Sequence, residues 1–292
     1  MTAHRSRPIQ TWLVRFLRQD FKADGLRLQQ RRWYGVATLG SQGKGRPSYA
    51  HGVSTTPLLH KTMGEVLVET MERSPENTAF VFPKQQIKKN YSEFLQDVAG
   101  LAGGLVSLGL KPGDRIGMWC PNRYEWVVTQ FATAMAGLIL VCINPGYRVH
   151  ELKYCIEKVS LSALIAASGF KETDYYPMLV EACPALPSSK PGDIHNPDLP
   201  SLRHIIMLGE EARRGTMRYK DVHATDDATV AKLRSIGEAL TPDHPVIIQF
   251  TSGTTGQPKG AVLSHSNIVN NAYFHGIRTG YARTVSNFCM VR

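Results

Sequence analysis

The part of this 292-residue chain best equipped for chemistry reads Phe250-Thr251-Ser252-Gly253-Thr254-Thr255-Gly256-Gln257-Pro258-Lys259-Gly260. An apolar run, Val246–Phe250, leads straight into four hydroxyl side chains, three glycines and one cation. Glycine lets a backbone approach an anion closely and turn its N–H groups inward. The hydroxyls of Thr251, Ser252, Thr254 and Thr255 add donors, and Lys259 adds a point charge suited to phosphate. Together they suit a loop that wraps the polyphosphate of a nucleotide, with Thr251 through Lys259 as the candidate binding set. A Walker A loop is excluded, because that motif needs Gly-Lys-Ser/Thr at the opening of a helix. Here Pro258 precedes the lysine, Gly260 follows it, and Ala261-Val262-Leu263 reads as another short strand. The alternative is a flexible Ser/Thr/Gly turn joining two strands. Such a turn has no need of this many hydroxyls, glycines and a lysine in one order.

Few other residues compete for a chemical role. His265 lies past the strand after the loop and reads as a cap for the next helix. Tyr147, after Asn144-Pro145-Gly146, reads as packing, and Asp243-His244 as a solvated turn. The five cysteines (Cys120, Cys142, Cys155, Cys183, Cys289) form no CxxC pair, and the ten histidines show no ligand spacing. No metal site is therefore expected from protein side chains, and no disulfide scaffold.

The elements that must position the loop follow from periodicity. Met63–Arg73 reads as a helix and Thr78–Phe82 as a strand. Asn90, with Glu93 three residues on, has the form of a capping box opening a helix that ends before Gly109. Lys111-Pro112-Gly113-Asp114 is a turn, Arg115–Cys120 a strand, Glu125–Ala136 a helix and Leu138–Ile143 a strand. Helices are expected near Glu151–Val159 and Lys171–Cys183, with strands at Ser162–Ala167, Leu202–Leu208 and Val246–Phe250. Residues 184–200 read as a surface loop, and 209–240 give no clear pattern. Trp126–Ile143 is uncharged and long enough to span a bilayer. Its Thr129, Gln130, Thr133 and Gly137 instead suit a buried helix followed by a buried strand, so no transmembrane segment is expected. Helices alternating with strands, without hairpin signals, imply an α/β fold with a mostly parallel sheet. Ligands bind such folds at the carboxyl ends of the strands, which is where Phe250 leads.

The formal charge of +10 is unevenly placed. Residues 1–50 hold ten Lys/Arg against Asp20 and Asp24, whereas the remaining 242 residues carry 24 basic and 22 acidic groups. The body is close to neutral, so no nucleic-acid partner is implied. In the head, Ile9, Trp12, Leu13, Phe16 and Leu17 recur at helical spacing, with Arg15, Arg18 and Lys22 largely off that stripe. An Arg-rich, acid-poor amphipathic start has the pattern of a mitochondrial transit peptide, and Arg32-Trp33-Tyr34 before Gly35 resembles a matrix-protease site. A disordered basic tail or a membrane-surface helix are the alternatives.

Thr251–Gly260 resembles the signature phosphate loop of the adenylate-forming (AMP-binding) superfamily, which holds acyl-CoA synthetases, luciferases and peptide-synthetase adenylation domains. The likeness extends to Asn90-Tyr91-Ser92-Glu93-Phe94-Leu95, to Lys111-Pro112-Gly113-Asp114-Arg115-Ile116 with Pro121-Asn122, to Ala136-Gly137 through Asn144-Pro145, and to Leu263 through Asn271. It spans roughly residues 55–285, and within the superfamily it is strongest to the mitochondrial medium-chain acyl-CoA ligase branch. The resemblance implies a parallel-sheet-rich N-terminal portion of the adenylate-forming fold. It further implies an ATP-dependent ligase that activates a fatty, medium-chain acid through an acyl-adenylate to its CoA thioester, with Mg²⁺ assisting. Thr251–Lys259 would then hold the β- and γ-phosphates. ATP, fatty acid and coenzyme A are the implied small-molecule partners, and the import machinery would engage residues 1–34 of a matrix protein. On this reading residues 1–50 are transit peptide and linker, and residues 51–292 part of the N-terminal AMP-binding domain. The catalytic residues are expected beyond Arg292, as are the adenine and ribose subsites, most of the acyl pocket and the C-terminal domain. The chain alone is then expected to be inactive and residues 35–292 poorly soluble. The alternatives are a non-catalytic nucleotide-loop module or regulator, and an adenylate-forming enzyme with an acceptor other than CoA.

Overall fold

The computed structural model describes residues 55–251 and 257–280. The basic head expected to be a transit peptide and Cys289 lie outside those residues.

Helix α1 (Met63–Arg73) opens on a capping box: Thr62 Oγ1 accepts from the Glu65 amide, and the Glu65 carboxylate accepts from the Thr62 amide. Strands β1 (Thr78–Phe82) and β2 (Ile87–Asn90) form an antiparallel hairpin. Helix α2 (Tyr91–Ser107) begins with the expected box on Asn90 and Glu93, and Gly109 follows it at φ +82°. The order then runs β3 (Arg115–Trp119), α3 (Tyr124–Met135), β4 (Ile139–Ile143), α4 (Val149–Lys158) and β5 (Ala163–Ala166). A small hairpin, β6 (Gly169–Phe170) with β7 (Thr173–Asp174), precedes α5 (Tyr175–Ala182). Strands β8 (His204–Met207) and β9 (Met217–Arg218), helix α6 (Asp227–Ala239), strands β10 (Pro245–Thr251) and β11 (Lys259–Ser264) and helix α7 (His265–Thr279) complete the described chain.

Among the described residues the main sheet has the order β11-β10-β4-β3-β5-β8-β9. All its neighbours are parallel except β10 and β11. The chain leaves β3 toward β4 on one side, then crosses back over β3 to reach β5. Right-handed crossovers in opposite directions put their helices on opposite faces. Accordingly α2, α3 and α6 pack on one another, and α4 packs on α5. Both faces of the central strands are thereby covered, and Ile116, Met118, Leu140, Val141, Leu164 and Ile165 are fully buried. This is why these strands read as unbroken apolar runs. Within α3 the buried Thr129 and Thr133 return their hydroxyls to the carbonyls of Glu125 (2.7 Å) and Thr129 (2.9 Å). That back-bonding satisfies them without water. Among the described residues no helix is long and apolar enough to cross a membrane.

The expected absence of hairpins is corrected. The β1–β2 turn places Gln86 at φ +56°, and the β6–β7 turn places Lys171 at φ +54°. Neither carries the Gly or Asn that advertises a left-handed position, so the sequence gives no signal there. The β6–β7 hairpin also delays α5, which begins at Tyr175 rather than near Lys171. Asp174 caps it by accepting from the Tyr176 amide. The unassigned 209–240 segment holds β9 and α6, the latter capped by Asp226, which accepts from the Thr229 amide at 3.0 Å.

Candidate functional site

The phosphate-loop candidate sits where β10 leaves the carboxyl edge of the parallel sheet and β11 returns antiparallel to it. The last ladder pair is Thr251↔Lys259, preceded by Phe250↔Gly260. Thr251 Oγ1 donates to the Lys259 carbonyl at 3.4 Å across this neck. Ser252, Gly253, Thr254, Thr255 and Gly256 lie outside the described residues. Gln257 and Lys259 are exposed and Pro258 is half-buried. Thus Thr251, Pro258 and Lys259 stand together where the β10–β11 ladder ends. Lys259 opens an edge strand, and among the described residues no carboxylate pairs with it.

Two supports flank the neck. On α4, the Tyr154 hydroxyl donates to the Pro258 carbonyl at 3.1 Å, and its ring meets Phe250 with centroids 6.4 Å apart. Beside β10 lies the end of β4, with Gln249 paired to Cys142. The Asn144-Pro145-Gly146 turn therefore stands next to Thr251 at the same carboxyl edge. That turn is held from three directions. The Trp119 indole donates to the Asn144 carbonyl (3.1 Å), the Tyr175 hydroxyl to the Pro145 carbonyl (2.5 Å), and the Gly146 amide to Asn144 Oδ1 (2.8 Å). Trp119 and Tyr175 stack at 3.6 Å and 3°. Burial raises the Tyr175 phenol above its ordinary range, so it stays protonated and able to donate. Beyond the turn lies a cavity of about 160 Å³ bordered by Tyr147, Arg148, Lys171 and Tyr175. Tyr147 is half-buried against the core there, which accords with a packing role.

His265 departs from its expected role as a cap. Ser264 caps α7, accepting from the Asn267 amide. His265 is instead 1% exposed, and its Nδ1 accepts from the Met63 amide at 3.2 Å. Burial, reinforced by His244, pushes its pKa down to about 4. One turn on, Asn270 brackets a single residue of the N-terminal segment, with Oδ1 accepting from the Leu59 amide (2.7 Å) and Nδ2 donating to the Leu59 carbonyl (3.0 Å). The element that follows the loop is thus fastened to the entry of α1, about 200 residues earlier. No sequence signal marks these contacts, because a histidine and an asparagine near a helix start have many commoner uses.

The remaining chemistry is inert or peripheral. Burial pushes the thiols of Cys120 and Cys155 up to about 12 and that of Cys142 up to about 11, far from thiolate formation near neutrality. Cys183 is raised by the same cause. Among the described residues no cluster of His, Cys, Asp or Glu could hold a metal ion.

Comparison with known proteins bears on the family and the fold. The family model described as "AMP-binding enzyme" matches residues 67–290. A Danio rerio protein named medium-chain acyl-CoA ligase ACSF2, mitochondrial, is 46% identical over 235 residues, covering 80% of this chain and 39% of that protein. The Homo sapiens protein of the same name is 38% identical over 262 residues, covering 89% and 42%. The chain therefore spans about two fifths of the length of these curated relatives. Among solved structures, acetoacetyl-CoA synthetase from Streptomyces lividans superposes with a TM-score of 0.61 at 27% identity, covering 74% of this chain and 32% of that one.

Proposed function

Since this chain belongs to the AMP-binding enzyme family, we propose that it carries the polyphosphate-binding part of an ATP-dependent acyl-CoA ligase acting on medium-chain fatty acids. The observation that carries the reading is the neck at Thr251 and Lys259, which presents a hydroxyl and a cation that no described carboxylate pairs with, at the carboxyl edge of a parallel sheet and flanking a Ser/Thr/Gly-rich sequence. A carboxylate is a poor electrophile because its charge repels nucleophiles. The ligase reaction overcomes this by letting the carboxylate oxygen displace pyrophosphate from the α-phosphorus of ATP, after which the CoA thiol displaces AMP. The task of Thr251–Lys259 in that sequence is to hold the β- and γ-phosphates in line and to stabilise the charge that builds on the leaving pyrophosphate. Lys259 supplies the charge, and the loop hydroxyls and amides supply the donors.

The donor set fits polyphosphate rather than a bare metal: cation and hydroxyls are present, and the described residues offer no carboxylate cluster. Mg²⁺ would arrive on the nucleotide and neutralise phosphate charge there. Residues 1–50 are proposed as a mitochondrial transit peptide and linker, directing residues 51–292 to the matrix through the import machinery. The Arg-rich pattern of the head supports this, as do relatives whose names include "mitochondrial". Because the chain spans 39–42% of those relatives' length, turnover is proposed for a protein of the relatives' full length. Polyphosphate binding alone is proposed for these residues.

The test is titration of the full chain with Mg²⁺–pyrophosphate and with MgATP, comparing the native sequence with Lys259→Ala. A protein of the relatives' length is assayed in parallel for acid-dependent ATP–pyrophosphate exchange. Removing one charge-assisted phosphate contact, worth about 1.5–3 kcal/mol, is expected to weaken binding about 10- to 100-fold. Binding unaffected by Lys259→Ala, or exchange unresponsive to medium-chain acids, refutes the reading.

A further inference from the structure

We propose that Tyr154 is a positioning residue for Thr251 and Lys259: from α4 it fixes the two strand feet that lead to them and so presets where the hydroxyl and the cation meet polyphosphate. The proposal rests on the reading of Thr251–Lys259 given above and deepens it. The two feet are Phe250, the last residue before Thr251, and Pro258, the last residue before Lys259. Tyr154 touches both, its ring tilted 57° against Phe250 and its hydroxyl donating to the Pro258 carbonyl. Among the described side chains, only Tyr154 bonds to Pro258; the Thr251 hydroxyl reaches the Lys259 carbonyl beside it.

The choice of partner atom is informative. Pro258 has no amide hydrogen, so it cannot extend the β10–β11 ladder by donating. Its carbonyl is met by the tyrosine hydroxyl. The ladder closes at Thr251↔Lys259, and the Thr251 hydroxyl bond across the neck is long at 3.4 Å. Without Tyr154 the return foot is restrained by that pair alone, while Lys259 carries its charge on an exposed edge strand. A donor on a rigid helix, about 100 residues distant in sequence, converts a two-point hinge into a three-point mount. Preorganisation of this kind adds affinity by removing ordering cost at the moment of binding.

The experiment is isothermal titration of the full chain with Mg²⁺–pyrophosphate for the native sequence, Tyr154→Phe, Tyr176→Phe and Lys259→Ala. Tyr176 donates to the Arg214 carbonyl at 3.0 Å on a different surface, and its loss is a matched phenol deletion. Tyr154→Phe is expected to bind about fivefold more weakly, the scale of one neutral hydrogen bond, while Tyr176→Phe binds as the native chain does. Incorporating 4-aminophenylalanine at position 154 returns a donor and is expected to restore affinity. 4-Methylphenylalanine there, which fills the same space without a donor, is not. This second pair decides the matter even if Tyr154→Phe does not fold. Native affinity in Tyr154→Phe, or equal affinity in the amino and methyl pair, overturns the role of Tyr154 while leaving the loop reading intact. A native chain that binds no pyrophosphate, or binds it equally with Lys259→Ala, overturns the loop reading itself and the present proposal with it.

Discussion

Acidification should loosen the fastening of α7 to α1 through one residue. His265 accepts the Met63 amide proton at Nδ1, so the folded chain needs the neutral ring with its proton on Nε2. A protonated ring would set a donor against a donor in a site only 1% exposed. Burial and His244 hold the folded pKa at about 4, against 6.5 for an ordinary histidine. Between those values the unfolded chain takes up a proton that the folded chain refuses. Stability from this residue is therefore complete above about pH 6.5, falls as pH drops toward about 4, and is level below that. At about 1.4 kcal/mol per pKa unit, the whole excursion is about 3.4 kcal/mol, and the fall from about pH 7.5 to about pH 5 is about 2 kcal/mol. The assay is urea unfolding of the full chain at a series of pH values in that window, native against His265→Asn. The asparagine places a non-titrating acceptor near the position of Nδ1. Other groups titrate in the same window, notably His204, whose pKa is also lowered by burial. The difference between the two curves, rather than either slope, therefore carries the answer. The native chain should lose about 2 kcal/mol more than the variant over the window. Parallel curves would refute the assignment of His265 as a buried neutral acceptor.

Two substitutions examine packing, one at the site's edge and one on α2. Tyr175→Phe keeps the stack on Trp119 but leaves the Pro145 carbonyl without its donor; unfolding in urea should show a loss of about 1–2 kcal/mol, and an unchanged midpoint would mean that water or backbone replaces the phenol. Gly103→Ala should destabilise by about 1–3 kcal/mol despite the better helix propensity of alanine, because its Cβ would lie 2.1 Å from the Ala224 carbonyl oxygen and 2.9 Å from Thr229 Cγ2. A stabilised Gly103→Ala chain, again by urea midpoint, would show that residues 222–229 do not rest on that face of α2.

The parts of the fold that the sequence announces are those governed by local rules. Asn90 and Glu93 sit three apart ahead of an apolar stripe, and the structure contains both bonds of that capping box. Val141 and Leu164 lie in apolar runs too short for helices and too continuous for half-exposed strands, and both are buried in the parallel sheet. The illegible parts are those where an uncommon residue fills a conformational role. Gln86 and Lys171 occupy left-handed turn positions that glycine or asparagine would have flagged. Asp226 caps α6 through the Thr229 amide, but the polar surroundings of 209–240 hid both the cap and the weak apolar stripe of Leu233 behind it.

The candidate site divides along the same line. A loop that binds polyphosphate must carry its donors, its glycines and its charge within a few residues, because all of them converge on one anion; its composition is therefore its signature. What holds such a loop still is under no such constraint. A hydroxyl on α4 reaching the Pro258 carbonyl, an indole reaching Asn144 and an asparagine bracketing Leu59 each need only a donor or acceptor arriving from anywhere in the chain. Many residue types at many positions could serve, so none stands out in sequence, and only the folded arrangement identifies them. Substitutions at Tyr154, Trp119 or Asn270 should consequently act on the loop's affinity or on the stability of its mounting while leaving its own chemistry unchanged. Substitutions within Thr251–Lys259 should do the reverse.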